Sequence, residues 1–343
     1  MKNLSELRQD IITGEWVLIA TGRAMRPQFF RKKSVTTEAS RKGCSFEALL
    51  PEAFLVFDKK GEIYHPTPKI INELKKNWFL QTVPNKYPAI RESAICPVPE
   101  KRGLYEMMEG VGFHEVVITR DHKKSIGLMN SGEATIVLRA YRARFEALKD
   151  EECVEYISVF HNHGSEAGAS VFHPHSQIIA IPVIPQDVSR SIAGSLNYFE
   201  RHKKCVHCEI IHFEIEERAR IVYENEKFIA FCPYVSRTAF EVRIFPKIHT
   251  PEFESSQDDD LALAGDALRA VLRKLYKGLR NPPYNFFIHT APTSDGMYYG
   301  HYHWHIEIIP KTAVWAGFEI GTGIEISTVA PEEAAKFLRK IKI

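Results

Sequence analysis

The chain has 343 residues, and its 45 lysines and arginines against 43 aspartates and glutamates leave a formal net charge of +2. At 44% hydrophobic and 26% charged it has the composition of a globular protein of roughly two domains, not of a disordered or fibrous one. The charge balance argues against a dedicated nucleic-acid binder, and no apolar run approaches the roughly 18 residues of a membrane span.

In chain order, residues 1–16 are polar and lack the apolar region of a secretory signal, so a cytoplasmic location is expected. Six cysteines are too few for a disulfide scaffold at this length, and their spacing points to metal chemistry instead. The first such motif is Cys44-Ser-Phe-Glu47. Val117 and Ile118 then predict a strand leading to His122. Val137, Tyr141, Phe145 and Leu148, at i, i+4, i+8 and i+11, predict a helix. Ile157-Ser-Val-Phe-His161 and His173-Pro-His175-Ser-Gln177 predict two further strands. A polar stretch near residues 186–204, after Pro182-Val-Ile-Pro185, marks a boundary that divides the chain into 1–190 and 191–343. Beyond it come Cys205-Val-His-Cys208, a strand at Val242-Arg-Ile244 leading to His249, and a helix carrying Leu261, Leu268, Leu272, Leu275 and Leu279. Asp258, Asp259 and Asp260 suit that helix's start, and Gly278 its end. Asn285-Phe-Phe-Ile-His289 and His303-Trp-His305-Ile-Glu307 close the series.

The second list repeats the first. His173 and His303 are 130 residues apart, His161 and His289 are 128 apart, and His122 and His249 are 127 apart. Four landmarks in one order, three of them offset by 127 to 130 residues, mean that the chain is a duplication. Each copy combines a helix with strand pairs, which predicts an α+β fold with mostly antiparallel sheets flanked by helices.

Eight of the 15 histidines fall in three clusters: His161 and His163, His173 and His175, and His289 with His301, His303 and His305. On a strand, His173, His175 and Gln177 share a face, as do His303, His305 and Glu307. A merely polar strand face would not need the same alternation twice beside a repeated cysteine motif. Cys205, Cys208, His249 and His303 make a Cys2His2 set suited to zinc. His303 is taken over His301 because it occupies the place of His173. The corresponding first-half set is Cys44, Glu47, His122 and His173, with a carboxylate in the place of a thiolate; zinc is expected at both, with iron as the other candidate. If His173 binds metal, His175 is free as a nucleophile at phosphorus, and Gln177 is a neutral donor for a phosphoryl oxygen. Gly-rich phosphate loops and a G-x-S-x-G elbow are absent.

Gly168-Ala-Ser170-Val-Phe-His173-Pro-His175-Ser-Gln177 resembles the active-site segment of the galactose-1-phosphate uridylyltransferases, the transferase branch of the histidine-triad superfamily. The likeness extends over nearly the whole chain. It implies two tandem histidine-triad-like domains, the first one catalytic. It implies transfer of a nucleoside monophosphate from a nucleoside-diphosphate hexose to a hexose 1-phosphate, through a nucleotidyl group on His175. By the same resemblance Arg23 and Arg26 would contact the sugar phosphate, Asn85 and Asn162 the nucleotide, and Ser170 the β-phosphate side; Phe318, Glu319 and Glu325 would contact the hexose. A homodimer with sites near its interface is expected on the same ground.

Phe318-Glu-Ile-Gly-Thr-Gly323 and the second Cys-x-x-Cys look more like a branch that includes an ADP-glucose phosphorylase, which passes an adenylyl group to phosphate. From a different class comes the reading of a zinc-stabilised binding module without catalysis. A histidine-triad hydrolase is disfavoured, because Gln177 stands where those enzymes generally carry a third histidine.

Overall fold

The computed structural model describes residues 5–22, 40–293 and 299–343. The first half runs β1 (Glu6–Gln9), β2 (Trp16–Ile19), β3 (Leu55–Asp58), β4 (Ile63–Tyr64), α1 (Pro68–Leu74) and β5 (Trp78–Pro84). It continues with β6 (Glu100–Arg102), β7 (Tyr105–Met107), β8 (Phe113–Thr119), α2 (Ser131–Leu148), β9 (Tyr156–His163) and β10 (His175–Ile181). The second half adds α3 (Gln186–His202), α4 (Val206–Glu217), β11 (Ile221–Glu224), β12 (Phe228–Phe231), β13 (Val242–Pro246) and α5 (Asp258–Gly278). Then follow β14 (Tyr284–His289), β15 (His305–Pro310), α6 (Gly317–Thr322), β16 (Ile326–Ser327) and α7 (Pro331–Arg339).

Eleven strands form one sheet in the order β11-β12-β13-β15-β14-β9-β10-β8-β5-β3-β4. Every pairing in it is antiparallel. The expected α+β class is therefore observed. Counted outward from the central β9–β14 pair, the two halves mirror each other: β10 matches β15, β8 matches β13, β5 matches β12 and β3 matches β11. At that central pair Phe160 lies opposite Phe287 and Asn162 opposite Asn285.

One face of the sheet is covered by α2 and α5, the helices expected from the leucine and aromatic spacings. Asn130 caps α2: its side chain accepts from Glu133 N, and the Glu133 carboxylate accepts from Asn130 N, both at 2.9 Å. Tyr141 and Phe145 of α2 and Leu268, Val271 and Leu272 of α5 share one buried core with Ile178 and Ile306 of the sheet. The two helices touch at Gly265. A Cβ there would lie 2.9 Å from Thr135 N, so the backbones are too close for any side chain. Gly265→Leu is expected to cost about 1–3 kcal/mol through overpacking, outweighing the roughly 1 kcal/mol that leucine gains over glycine in helix propensity. Denaturant unfolding with an unchanged m-value measures it; equal or greater stability would refute the close approach.

Three local features depart from the sequence reading. The polar stretch near 186–204 is mostly helix α3, because Val188, Ile192, Ser195 and Phe199 recur at helical spacing and turn inward among polar neighbours. Strands β10 and β15 begin at His175 and His305, so His173 and His303 sit just before them. Cys96 and Cys153 form a disulfide with Cα atoms 5.3 Å apart, whereas the other four cysteines are free.

Candidate functional site

The face of the sheet opposite α2 and α5 carries the candidate residues His175 and Gln177. On β10 the side chains alternate: Ser176 and Ile178 point to the helices, where Tyr141 hydrogen-bonds Ser176, and His175 and Gln177 point away. His175 Nδ1 lies 2.8 Å from the carbonyl oxygen of His173. A carbonyl only accepts, so Nδ1 carries the proton and Nε2 the lone pair. Burial lowers the His175 pKa, which keeps the ring neutral and nucleophilic. Phe46 packs its ring against His175 and His173, at centroid distances of 5.3 and 5.8 Å.

Directly before this strand, four donor groups converge. His122 Nδ1 lies 3.2 Å from His173 Nδ1 and 2.6 Å from Glu47 Oε1, and Cys44 Sγ lies 3.6 Å from His173 Nδ1. His173 Nε2 donates to Thr119 O at 2.6 Å, so its Nδ1 faces the cluster without a proton. Glu47 Oε1 is buried, and its contact there is the 2.6 Å approach of His122 Nδ1. A thiol, a carboxylate and two imidazoles converging in one spot are the donor types zinc takes, so this set fits a metal ion.

The second set is built alike. The ligand atoms of Cys205, Cys208, His249 and His303 all lie within 4.8 Å of one another, as do those of Cys44, Glu47, His122 and His173. His249 Nε2 donates to Gly300 O at 2.9 Å and His303 Nε2 to Pro246 O at 3.0 Å, which again turns bare Nδ1 atoms inward. The Cys205 thiol is shifted far below its usual range by hydrogen bonding with Cys208 and the two histidines. Both metal sets read from the sequence are thus brought together, and His303, not His301, belongs to the second.

The two halves diverge one step further on. His305 repeats the backbone bond of His175, to His303 O at 3.1 Å, but is stacked between Phe245 and His289 and contacts His207 of α4. Glu307, in the place of Gln177, is held by Arg243 at 3.2 Å and His289 at 2.8 Å. A fixed carboxylate there repels a phosphate. The open pairing of His175 with Gln177 is thus not repeated in the second half.

The remaining expected residues divide. Asn85 reaches the Gln177 side of the face, where its Nδ2 lies 3.0 Å from His114 Nε2. Asn162 faces Asn285, whose amide donates to Asn162 Oδ1 at 2.7 Å and turns the Asn162 amide protons outward. Ser170 is exposed in the segment before β10. Phe318 is exposed on α6, and Glu319 caps that helix by accepting from Ala316 N at 3.0 Å. The Glu325 carboxyl, raised by burial, lies in the field of Arg237. No contact places Phe318, Glu319 or Glu325 at His175 among the described residues. Arg23 and Arg26 lie outside the described residues. His114 escapes a sequence reading because it belongs to no repeated spacing, and Phe46 and Asn285, though inside repeated motifs, acquire their contacts only in the fold.

Comparison with known proteins agrees with this geometry. The galactose-1-phosphate uridyl transferase N-terminal domain matches residues 1–185, and a domain of unknown function matches residues 106–341. An ADP-glucose phosphorylase of Arabidopsis thaliana is 34% identical over 98% of this chain and 93% of its own length. A galactose-1-phosphate uridylyltransferase of Thermotoga maritima is 29% identical over 99% of each. Among solved structures, the Arabidopsis thaliana ADP-glucose phosphorylase with bound ADP-glucose superposes with a TM-score of 0.79 at 31% identity, covering 99% of this chain and 100% of that one. With a family signature over more than half its residues and a full-length relative above 30% identity, the chain belongs to the galactose-1-phosphate uridylyltransferase family.

Proposed function

We propose that this enzyme moves a nucleoside monophosphate from a nucleoside-diphosphate hexose to a hexose 1-phosphate through a nucleotidyl group on His175. The observation that carries the reading is the His175 Nδ1–His173 O bond, which points a neutral Nε2 lone pair out of the sheet. In the first step Nε2 attacks the α-phosphorus. The N–P bond forms, the P–O bond to the β-phosphate breaks, and hexose 1-phosphate leaves with the electron pair. In the second step a phosphate oxygen of the acceptor attacks the same phosphorus and frees His175. Gln177 donates to an α-phosphoryl oxygen as charge builds there, and being neutral it neither repels the substrate nor supplies a proton to water. Asn85 and Asn162 hold the nucleotide, Ser170 the β-phosphate side, and Arg23 and Arg26 the sugar phosphate. Phe318, Glu319 and Glu325 reach a hexose across a homodimer interface. Cys44, Glu47, His122 and His173, and Cys205, Cys208, His249 and His303, would hold zinc, which would cross-link loop to strand. Two tandem units, 1–190 and 191–343, and a cytoplasmic location complete the proposal.

A second reading has a specific observation behind it, the 34% identity to an ADP-glucose phosphorylase over nearly the full chain. In it the transferred group is adenylyl and the acceptor is inorganic phosphate, on the same histidine. Intact mass after incubation with UDP-glucose or ADP-glucose, without acceptor, separates the two. A gain of one uridylyl group supports the first reading and a gain of one adenylyl group the second. No gain with either, in folded metal-loaded protein, refutes the covalent mechanism.

A further inference from the structure

On β8, one strand away from the nucleophile, His114 is held at both ring nitrogens. Ala89 N donates to His114 Nδ1 at 3.0 Å. A backbone N–H can only donate, so Nδ1 is bare and the ring proton of the neutral imidazole sits on Nε2. That nitrogen lies 2.8 Å from Gln177 Oε1, so Nε2–H donates to the Gln177 carbonyl oxygen. Asn85, whose Oδ1 accepts from Tyr87 N at 2.9 Å, also brings its Nδ2 to 3.0 Å from Nε2; with Nδ1 taken by the fixed backbone N–H, that contact is a proximity and not a hydrogen bond, and Nε2–H is left to Gln177. Asn85 N additionally donates to the His114 backbone carbonyl at 2.8 Å.

Two consequences follow from one fixed proton. Gln177 can take only one amide orientation, with its oxygen toward His114 and its NH2 turned away from it. A flipped amide would face donor to donor, an arrangement that costs about 1–3 kcal/mol for a part-buried pair. The same imidazole fastens the turn at residues 85–89, which carries Asn85, to the catalytic sheet.

We propose that His114 is a positioning residue that couples the turn at 85–89 to Gln177, so that the side of the site holding the nucleotide also sets the phosphoryl donor. The inference rests on the nucleotidyl-histidine reading. Among the described residues no contact joins His114 to the nucleophile or to the metal cluster, and it acts through Gln177.

Two near-isosteric amides dissect the ring. His114→Gln keeps a donor where Nε2 stood and loses the acceptor for Ala89 N; His114→Asn keeps that acceptor and loses the donor to Gln177. In single-turnover adduct formation with the nucleotide sugar that labels the wild type, H114N is expected to slow the rate at saturation about 10- to 100-fold, with half-saturation within about 2-fold; loss of a whole oxyanion donor costs about 10²–10³. H114Q is expected to restore the rate to within about 3-fold but to raise half-saturation about 10-fold, because the turn is loosened. In a Gln177→Ala background H114N is expected to have no further effect on the rate. A second readout needs no reaction: the Gln177 side-chain NH2 signals in an 15N-correlated spectrum, assigned by their loss in Q177A, should move in H114N and return in H114Q. An unchanged rate in H114N, or an undiminished effect in the Q177A background, overturns the proposal. Unlabelled wild type with Gln177 signals that still respond to His114 counts against the nucleotidyl-histidine reading and leaves the coupling standing.

Discussion

Replacing His175 by asparagine is expected to abolish the nucleotidyl adduct and to lower steady-state transfer by at least about 10⁴-fold, on the order of 5 kcal/mol of barrier. The magnitude follows from the absence of a substitute. His114 is turned toward Gln177, His161 faces the helix side through its 2.9 Å contact with Ser176, and His305 is enclosed between Phe245 and His289. Asparagine is the informative choice because its amide nitrogen takes the place of Nδ1 and can still donate to His173 O. Strand geometry and metal content are thereby preserved while the Nε2 lone pair is removed. Intact mass detects the adduct, turnover its consequence, and elemental analysis the metal. Loss of metal along with activity would mean that His173 and His175 do not divide their labour as the geometry has it.

The place of His173 in a donor cluster is legible in the sequence, because duplication prints that cluster twice. His173 pairs with His303 and His122 with His249 at nearly one offset, and both clusters assemble as the spacing implies. Periodicity also locates α2 and α5, whose apolar residues recur at helical spacing over four turns or more. What stays hidden is whatever one residue does without a repeat. His114 is a polar side chain in the strand Phe113–Thr119 with no repeat to mark it, and its contact with Ala89 exists only once the turn at 85–89 folds against it. Helix α3 hides because a half-buried helix needs few apolar residues, and here serine and glycine fill two of its inward positions: a Cβ on Gly194 would collide with the backbone of Ile12. The pairing of Cys96 with Cys153 spans 57 residues and has no counterpart in the second half, so no spacing announces it. Glu307 shows the reverse case. It aligns with Gln177, yet Arg243 and His289 turn it into a buried ionic anchor.

Chelation is expected to remove the two metals with different consequences, and this separates their roles. The first set joins residues 44–47 to the base of β10, through His173 whose carbonyl fixes the His175 tautomer. One donor there is a carboxylate, which grips a borderline-soft ion less firmly than a thiolate does. The second set ties the start of α4 to the ends of β13 and β15 and contains two thiols. A graded chelator should therefore strip the first site early, lowering adduct formation at least about 10-fold while leaving most of the fold intact, because Phe46 loses its tether and His175 its fixed orientation. Removing the second ion should unfold the protein: an ion present at a thousand times its dissociation constant contributes about 4 kcal/mol, a large share of a typical 5–15 kcal/mol. Cys208→Ser should reproduce the second effect, lowering metal content by one ion per chain and the melting temperature with it. Glu47→Cys should delay the first release, since it restores the thiolate pair that the second half already has. Simultaneous loss of both ions in the wild type, with activity and fold falling together, would refute the separation and leave one cooperative metal-dependent unit in its place.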